Sequence, residues 1–210
     1  MTPEQITHIV DAYAFSPDDK STLTDLISTA YLHAKQAAYQ RAHTTAGHRT
    51  SLPAWRPGDA DATKAHEWAV PLAERISETY SGLLKSQLEQ MEEEGMQEAL
   101  GDVIRGIKGI VNRISDWFKD FIGWKTDQIA DNTWNEGDND GTEQFIEDVI
   151  ASGTDYSAMR VRVMPEESSS DFCSNYAGRD FAFDAVGSEL PEFPAHNRCI
   201  HYLEIYVEGE

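Results

Sequence analysis

Hydrophobic spacing changes its period once along this chain, and that change limits the architectures open to it. From Ser21 onward Leu23, Leu26, Ile27, Ala30, Tyr31, Ala34, Ala37 and Ala38 recur every three or four positions, the mark of one buried stripe on a helix. The stripe gives out in "HTTAGHRTSLPAWRPGDAD", residues 43–61, where Gly, Pro, Ser and Thr gather without period and predict a loop. A second helix sets Ala65, Trp68, Ala69, Leu72, Ile76, Tyr80, Leu83, Leu84, Leu88 and Met91 on one face. Pro71 lies inside that pattern and predicts either a kink or a helix that begins there. The most regular stretch is "VIRGIKGIVNRISDWFKDFIGW", residues 103–124, whose apolar positions step by three and four while Arg105, Lys108, Arg113 and Lys119 fall elsewhere. It reads as a core helix whose cations pair with acidic neighbours such as "EQMEEEG". Its locally basic, amphipathic character would also suit a helix lying on a membrane surface.

After about residue 155 the period shortens to two. "MRVRVM" alternates Arg160 and Arg162 with Val161 and Val163, "RDFAFDAV" places Phe181 and Phe183 on one face, and the final stretch alternates again. The expected class is α+β, a mainly helical N-terminal body followed by a small antiparallel β-rich C-terminal subdomain.

Charge narrows the partners. Lys and Arg number 17 against 37 Asp and Glu, a formal charge of -20, which repels nucleic acid phosphates and anionic lipid. No direct sequence-specific nucleic acid binding is expected. "MTPEQITHIVDAY" has no cationic segment leading into an apolar run, and no stretch approaches the roughly 18 apolar residues of a membrane span. The chain therefore reads as soluble and made in the cytoplasm, with membrane partners not expected.

Two cysteines do not make a disulfide framework, but their setting is suggestive. "FPAHNRCIHYLEIYVE" holds the pattern His-x-x-Cys-x-His at His196, Cys199 and His201. On a strand, Cys199, His201, Leu203, Ile205 and Val207 project to one side and Ile200, Tyr202, Glu204 and Tyr206 to the other. His196, just after Pro194, could curl in from a turn, and Cys173 in "DFCSNYAG" could supply a fourth ligand to the tetrahedral Cys₂His₂ set that zinc prefers. Free buried thiols, or a Cys173 to Cys199 disulfide, fit the same residues. A catalytic zinc would need an open coordination position and a general base, and nothing selects between Glu192 and Glu204 for that role. No Gly-rich phosphate loop, His-Glu-x-x-His or nucleophile elbow is present, so no catalytic residue is assigned. The five tryptophans read as core or interface anchors, and His8, His33, His43, His48 and His66 have no ligand-like spacing.

In order and spacing, "RVRVM", "DFCSNYAG", "RDFAF", "LPEFPA" and "HNRCIHYLEIYV" resemble the C-terminal segment of the phage Mu protein F-like family, minor head proteins of tailed bacteriophages. There a strand leads to Asp-x-x-Cys-x-x-Cys, a glycine, a short apolar hairpin, a proline-rich turn, His-Pro-Asn-Cys-Arg-Cys and a final strand. Cys173 matches the first family cysteine, His196 and Cys199 match in place, Tyr176 replaces the second cysteine, and His201 stands where the last would be. Asp171 precedes Cys173 by two positions rather than three. Upstream, Ile129, Ala130, Thr133, Asn135 and Gly137 are counterparts of residues in the helix before the family's strand. The resemblance covers roughly residues 125–207.

It implies a helical body over 1–124 and a family-like C-terminal region over 125–210, a helix followed by β-hairpins with a Cys/His knot. It further implies a structural protein of the virion, assembled in the host cytoplasm, that contacts the portal or major capsid protein and takes part in head assembly or in DNA packaging and ejection. Structural zinc at Cys173, His196, Cys199 and His201 is compatible with the substitutions, because cysteine to histidine keeps a ligand. Two other readings stand beside it: a metal-dependent hydrolase using the Cys/His cluster, and a membrane-active protein acting through residues 103–122.

Overall fold

The computed structural model describes residues 3–93, 130–165, 170–191, 193 and 199–209. The amphipathic stretch 103–122, with Trp117, and likewise Trp124, Glu192 and His196, lie outside the described residues. Helices and a small sheet together give the α+β class that the two periods predict.

Helix α1 is Pro3–Tyr13, α2 is Pro17–Ala46, α3 is Asp59–Glu93 and α4 covers residues 130–152. The start of α2 is written locally. Ser16 caps it, its hydroxyl accepting from the Asp19 amide at 3.1 Å while the Asp19 carboxylate accepts from the Ser16 amide at 3.0 Å, with Pro17 in the first turn. At the head of α3 the Asp61 carboxylate accepts from the Gly58 amide at 2.9 Å. Pro71 lies within α3, so the helix does not begin there. The segment 43–61 is helical to Ala46, makes a 3-10 turn over Gly47–Arg49 and is irregular to Gly58.

Contacts divide the chain into two compact units, Met1–Leu26 with His66–Asp127 and Ile27–Ala65 with Gln128–Glu210. Residues 27–65, read from sequence as part of the helical body, thus pack with the C-terminal region. In the first unit Ile6 packs on Leu84 and Leu88, with Val10 and Tyr80 at the margin and Phe15 edge-on to Tyr80 at 5.2 Å.

The second unit holds the sheet: β1 (Met159–Met164), β2 (Asp180–Ala182) and β3 (Tyr202–Val207) in the antiparallel order β2-β1-β3. Alternation does what period two dictates. Met159, Val161, Val163, Leu203, Ile205 and Val207 are buried in one core with Tyr39, Phe145, Ile146 and Val149, while Arg162 turns outward to bind Asp180 at 2.6 Å. β2 is shorter than the sequence suggests. It ends at Ala182, so Phe183 reaches the core from a turn while Phe181 is half-buried.

Small residues bring α4 against α2. Gly137 and Gly141 face Ala34 and Ala38, and a Cβ added at either glycine would collide with the backbone carbonyl of Tyr31 or Lys35 and come within 2.9 Å of the facing alanine Cβ. The stripe read on α2 is real at Ile27, Tyr31, Ala34 and Ala38, but Leu26 and Ala37 are exposed. Lys35, by contrast, is buried. It sits between Asp61 and Asp140, each at 2.8 Å, and Asp140 also accepts from the Tyr31 hydroxyl and from Lys64, both at 2.5 Å. Burial pushes the Lys35 ammonium toward neutrality, but its two carboxylates outweigh that and hold it above its ordinary value.

Candidate metal centre

Cys199 and His201 reach the core because they continue the buried face of β3 backward by two steps: both are buried, as are Leu203, Ile205 and Val207. Their backbone is fixed by α4. β3 is an edge strand, and its outward peptide groups would be left without partners were it not for a polar ridge on the helix. Asn135 donates to the Cys199 carbonyl at 3.0 Å, and Asn139 donates to the His201 carbonyl at 3.2 Å. The Asn139 amide oxygen accepts from the Leu203 N–H at 2.9 Å, and Thr142 donates to the Leu203 carbonyl at 3.4 Å. Spacings of four and three put Asn135, Asn139 and Thr142 on one helical face, where they act as a side-chain substitute for a fourth strand.

Cys173 arrives from a separate loop. It opens a 3-10 turn, Cys173–Asn175, and its carbonyl accepts from the amides of Tyr176 and Ala177, both at 2.9 Å. Gly178, at φ +71°, reverses the chain and donates to the Val163 carbonyl at 2.8 Å, which ties the loop to β1. Phe193 packs near the His201 ring at 6.1 Å and edge-on to Tyr176 at 6.2 Å, an aromatic wall beside the sulfurs.

The result is a buried Cys173, Cys199, His201 group whose ligand atoms all lie within 4.8 Å of one another. The two sulfurs are 3.7 Å apart, and Cys199 Sγ lies 3.6 Å from His201 Nδ1. A tetrahedral zinc, with Zn–S of about 2.3 Å and Zn–N of about 2.0 Å, separates two sulfurs by about 3.8 Å and a sulfur from a nitrogen by about 3.5 Å. Two edges of the group therefore match a tetrahedral ion, and the group could hold a metal. The sulfurs are not bonded to each other. Without an ion, burial and then contact with Cys199 raise the Cys173 thiol above its ordinary value, the wrong direction for a nucleophile.

Of the four residues singled out from sequence, the structure brings Cys173, Cys199 and His201 together, and His196 lies outside the described residues. Tyr176, where the resembling family has a second cysteine, packs against Phe193 instead. Sequence reasoning missed Asn139 and Thr142, though asparagine and threonine at helical spacing in "NEGDNDGTEQF" were a usable signal. No protein-family model, curated protein or solved structure matches this chain.

Proposed function

We propose that this chain is a structural minor head protein of a tailed bacteriophage, docked on the portal or major capsid protein, whose C-terminal region is stapled by zinc at Cys173, Cys199 and His201. His196 is the fourth ligand in this reading. The observation that carries it is the convergence of the segments bearing the family resemblance. β1, the Cys173 turn, Gly178, β2, Cys199 and β3 occur in the family's order, and β1, Cys173, Cys199 and β3 contribute buried residues to one core. A three-stranded sheet is a small unit, and a metal crosslink between its loop and its edge strand supplies stability that so few strands lack. Burial of all three ligands favours a structural ion over a catalytic one, which needs an open position for substrate.

The role is tested by co-expression with the portal protein encoded nearest to it, followed by size exclusion and mass determination. Co-migration at a defined stoichiometry is expected; clean separation of two folded, monodisperse proteins overturns the portal assignment.

The metal is tested on its own. Chain purified under reducing conditions with zinc should retain one ion per molecule, and Cys173→Ser or Cys199→Ser should abolish retention. At a thousandfold excess over Kd a bound ion contributes about 4 kcal/mol. For a chain of this size a chelator should then lower Tm by about 8–16 °C. A metal-free protein whose Tm ignores chelator would make the knot a pair of hydrogen-bonded thiols, and a mass two protons light under non-reducing conditions would make it a disulfide.

A further inference from the structure

On the other side of the same strand lies an open groove of about 480 Å³. Two periodicities build it. Asp131, Trp134, Asn135 and Asp138 step along one face of α4, and Ile200, Tyr202 and Glu204 occupy the side of the β3 segment turned away from the core. Arg41 of α2 also lines it, gripping Asp138 through two bonds of 2.7 and 2.9 Å and lying 5.8 Å from the Tyr202 ring.

Its surface is unlike an ordinary polar face. Trp134 is 48% exposed and Ile200 56% exposed, two of the few large apolar side chains among the described residues left so open to water. They line the groove together with carboxylates. Asp138 is neutralised by Arg41, whereas Asp131 and Glu204 form no ion pair with any described residue. The groove is thus apolar and anionic at once, in a chain of formal charge -20.

We infer that this groove is a docking site for a partner protein's short basic and apolar segment, an aliphatic side chain lying between Trp134 and Ile200 and a lysine or arginine meeting Asp131 and Glu204. Charge decides the occupant. A second copy presenting this same groove would bring carboxylates to carboxylates, whereas a cationic segment is steered in by the field and finds the Trp134 ring as well as two carboxylates that no described residue pairs. The inference requires neither the metal nor the phage assignment. Asn135 nevertheless joins the two sites, since it lines the groove and holds the Cys199 carbonyl.

The test uses the full chain and a fluorescein-labelled peptide of alternating lysine and leucine, read by anisotropy at physiological salt. Saturable binding is expected, with a glutamate and leucine peptide not bound and a lysine and serine peptide bound at least about tenfold more weakly. Asp131→Asn with Glu204→Gln should weaken binding about tenfold or more, and so should Trp134→Ser. The matched neutralisation Glu74→Gln with Glu78→Gln, on exposed residues of α3, should change it less than about twofold. Equal weakening by the α3 pair would reduce the attraction to net charge and overturn the site. So would indifference to Trp134→Ser, or equal binding of the glutamate peptide. Self-association abolished by the groove variants would transfer the groove to a second copy. The amide variants keep side-chain shape, so they remain informative if Trp134→Ser fails to fold.

Discussion

Gly141→Ala should destabilise the second unit by about 3 kcal/mol or more, although alanine is the better helix former. Inside a helix the exchange normally gains about 0.5–1 kcal/mol. Here the new methyl would overlap the Lys35 carbonyl and press on Ala38 Cβ at 2.9 Å. Neither atom is the free end of a flexible side chain, so α2 and α4 must separate, and overpacking of that kind costs about 1–3 kcal/mol or more. Moving Lys35 also disturbs its bonds to Asp61 and Asp140. The expected readout is a Tm fall of about 6–12 °C. Gly82→Ala in α3 is the internal control, because nothing lies within 4 Å of the added methyl. It should raise stability by about 0.5–1 kcal/mol. Equal effects of the two substitutions in thermal melts would refute close helix contact at Gly141.

Lys35→Met should cost about 3 kcal/mol at pH 7, and the cost should shrink as pH falls toward 4.5. Breaking a buried ion pair strands its partner in poor solvent, typically at about 3–5 kcal/mol, and Lys64 still partly compensates Asp140. The pH dependence has a definite sign. Burial pushes both Asp61 and Asp140 up, but Lys35, joined by the Gly58 amide at Asp61 and by Lys64 and Tyr31 at Asp140, outweighs it, so both carboxyls end below the ordinary range. In the native protein their contribution is complete above the unfolded value of about 3.9 and is lost only as pH falls through the lower folded values. Without Lys35 the two carboxyls face each other and take up protons earlier, relieving the penalty in acid. Urea unfolding at pH 7 and pH 4.5 checks this. A deficit of the same size at both would mean that Lys35 acts by packing along its stem rather than by charge.

The buried lysine shows where the sequence stopped being legible. Helical spacing picked out Ile27, Tyr31, Ala34 and Ala38 correctly, yet it also nominated Leu26 and Ala37, which face solvent, and it passed over Lys35. A hydrophobic stripe ranks residues by polarity, and a charge satisfied by two distant carboxylates is invisible to it. The same holds for Gly137 and Gly141. A glycine in a helix reads as a weakness until the neighbouring helix is seen to need the space. In the candidate metal centre, alternation was sufficient to turn Cys199 and His201 toward the core, because pleating is a local property. That Cys173 meets them was open to the reading of ligand types and of the glycine that follows in "DFCSNYAG", but the bonds that hold Gly178 and Arg179 to Val163 carry no signature.

What the sequence determined by itself was therefore local: α2, α3, β1 and β3 from the period of their apolar residues, and the core-facing side of β3. What only the tertiary structure decided was which elements meet. Residues 27–65 pack with the C-terminal region because Ala34 and Ala38 can approach Gly137 and Gly141, and the edge of β3 is closed by Asn135, Asn139 and Thr142. The physical reason is range. Backbone propensity and side-chain period act over a few residues, whereas close packing and the satisfaction of buried polar groups join positions 61 to 109 residues apart, where no spacing in the chain records them.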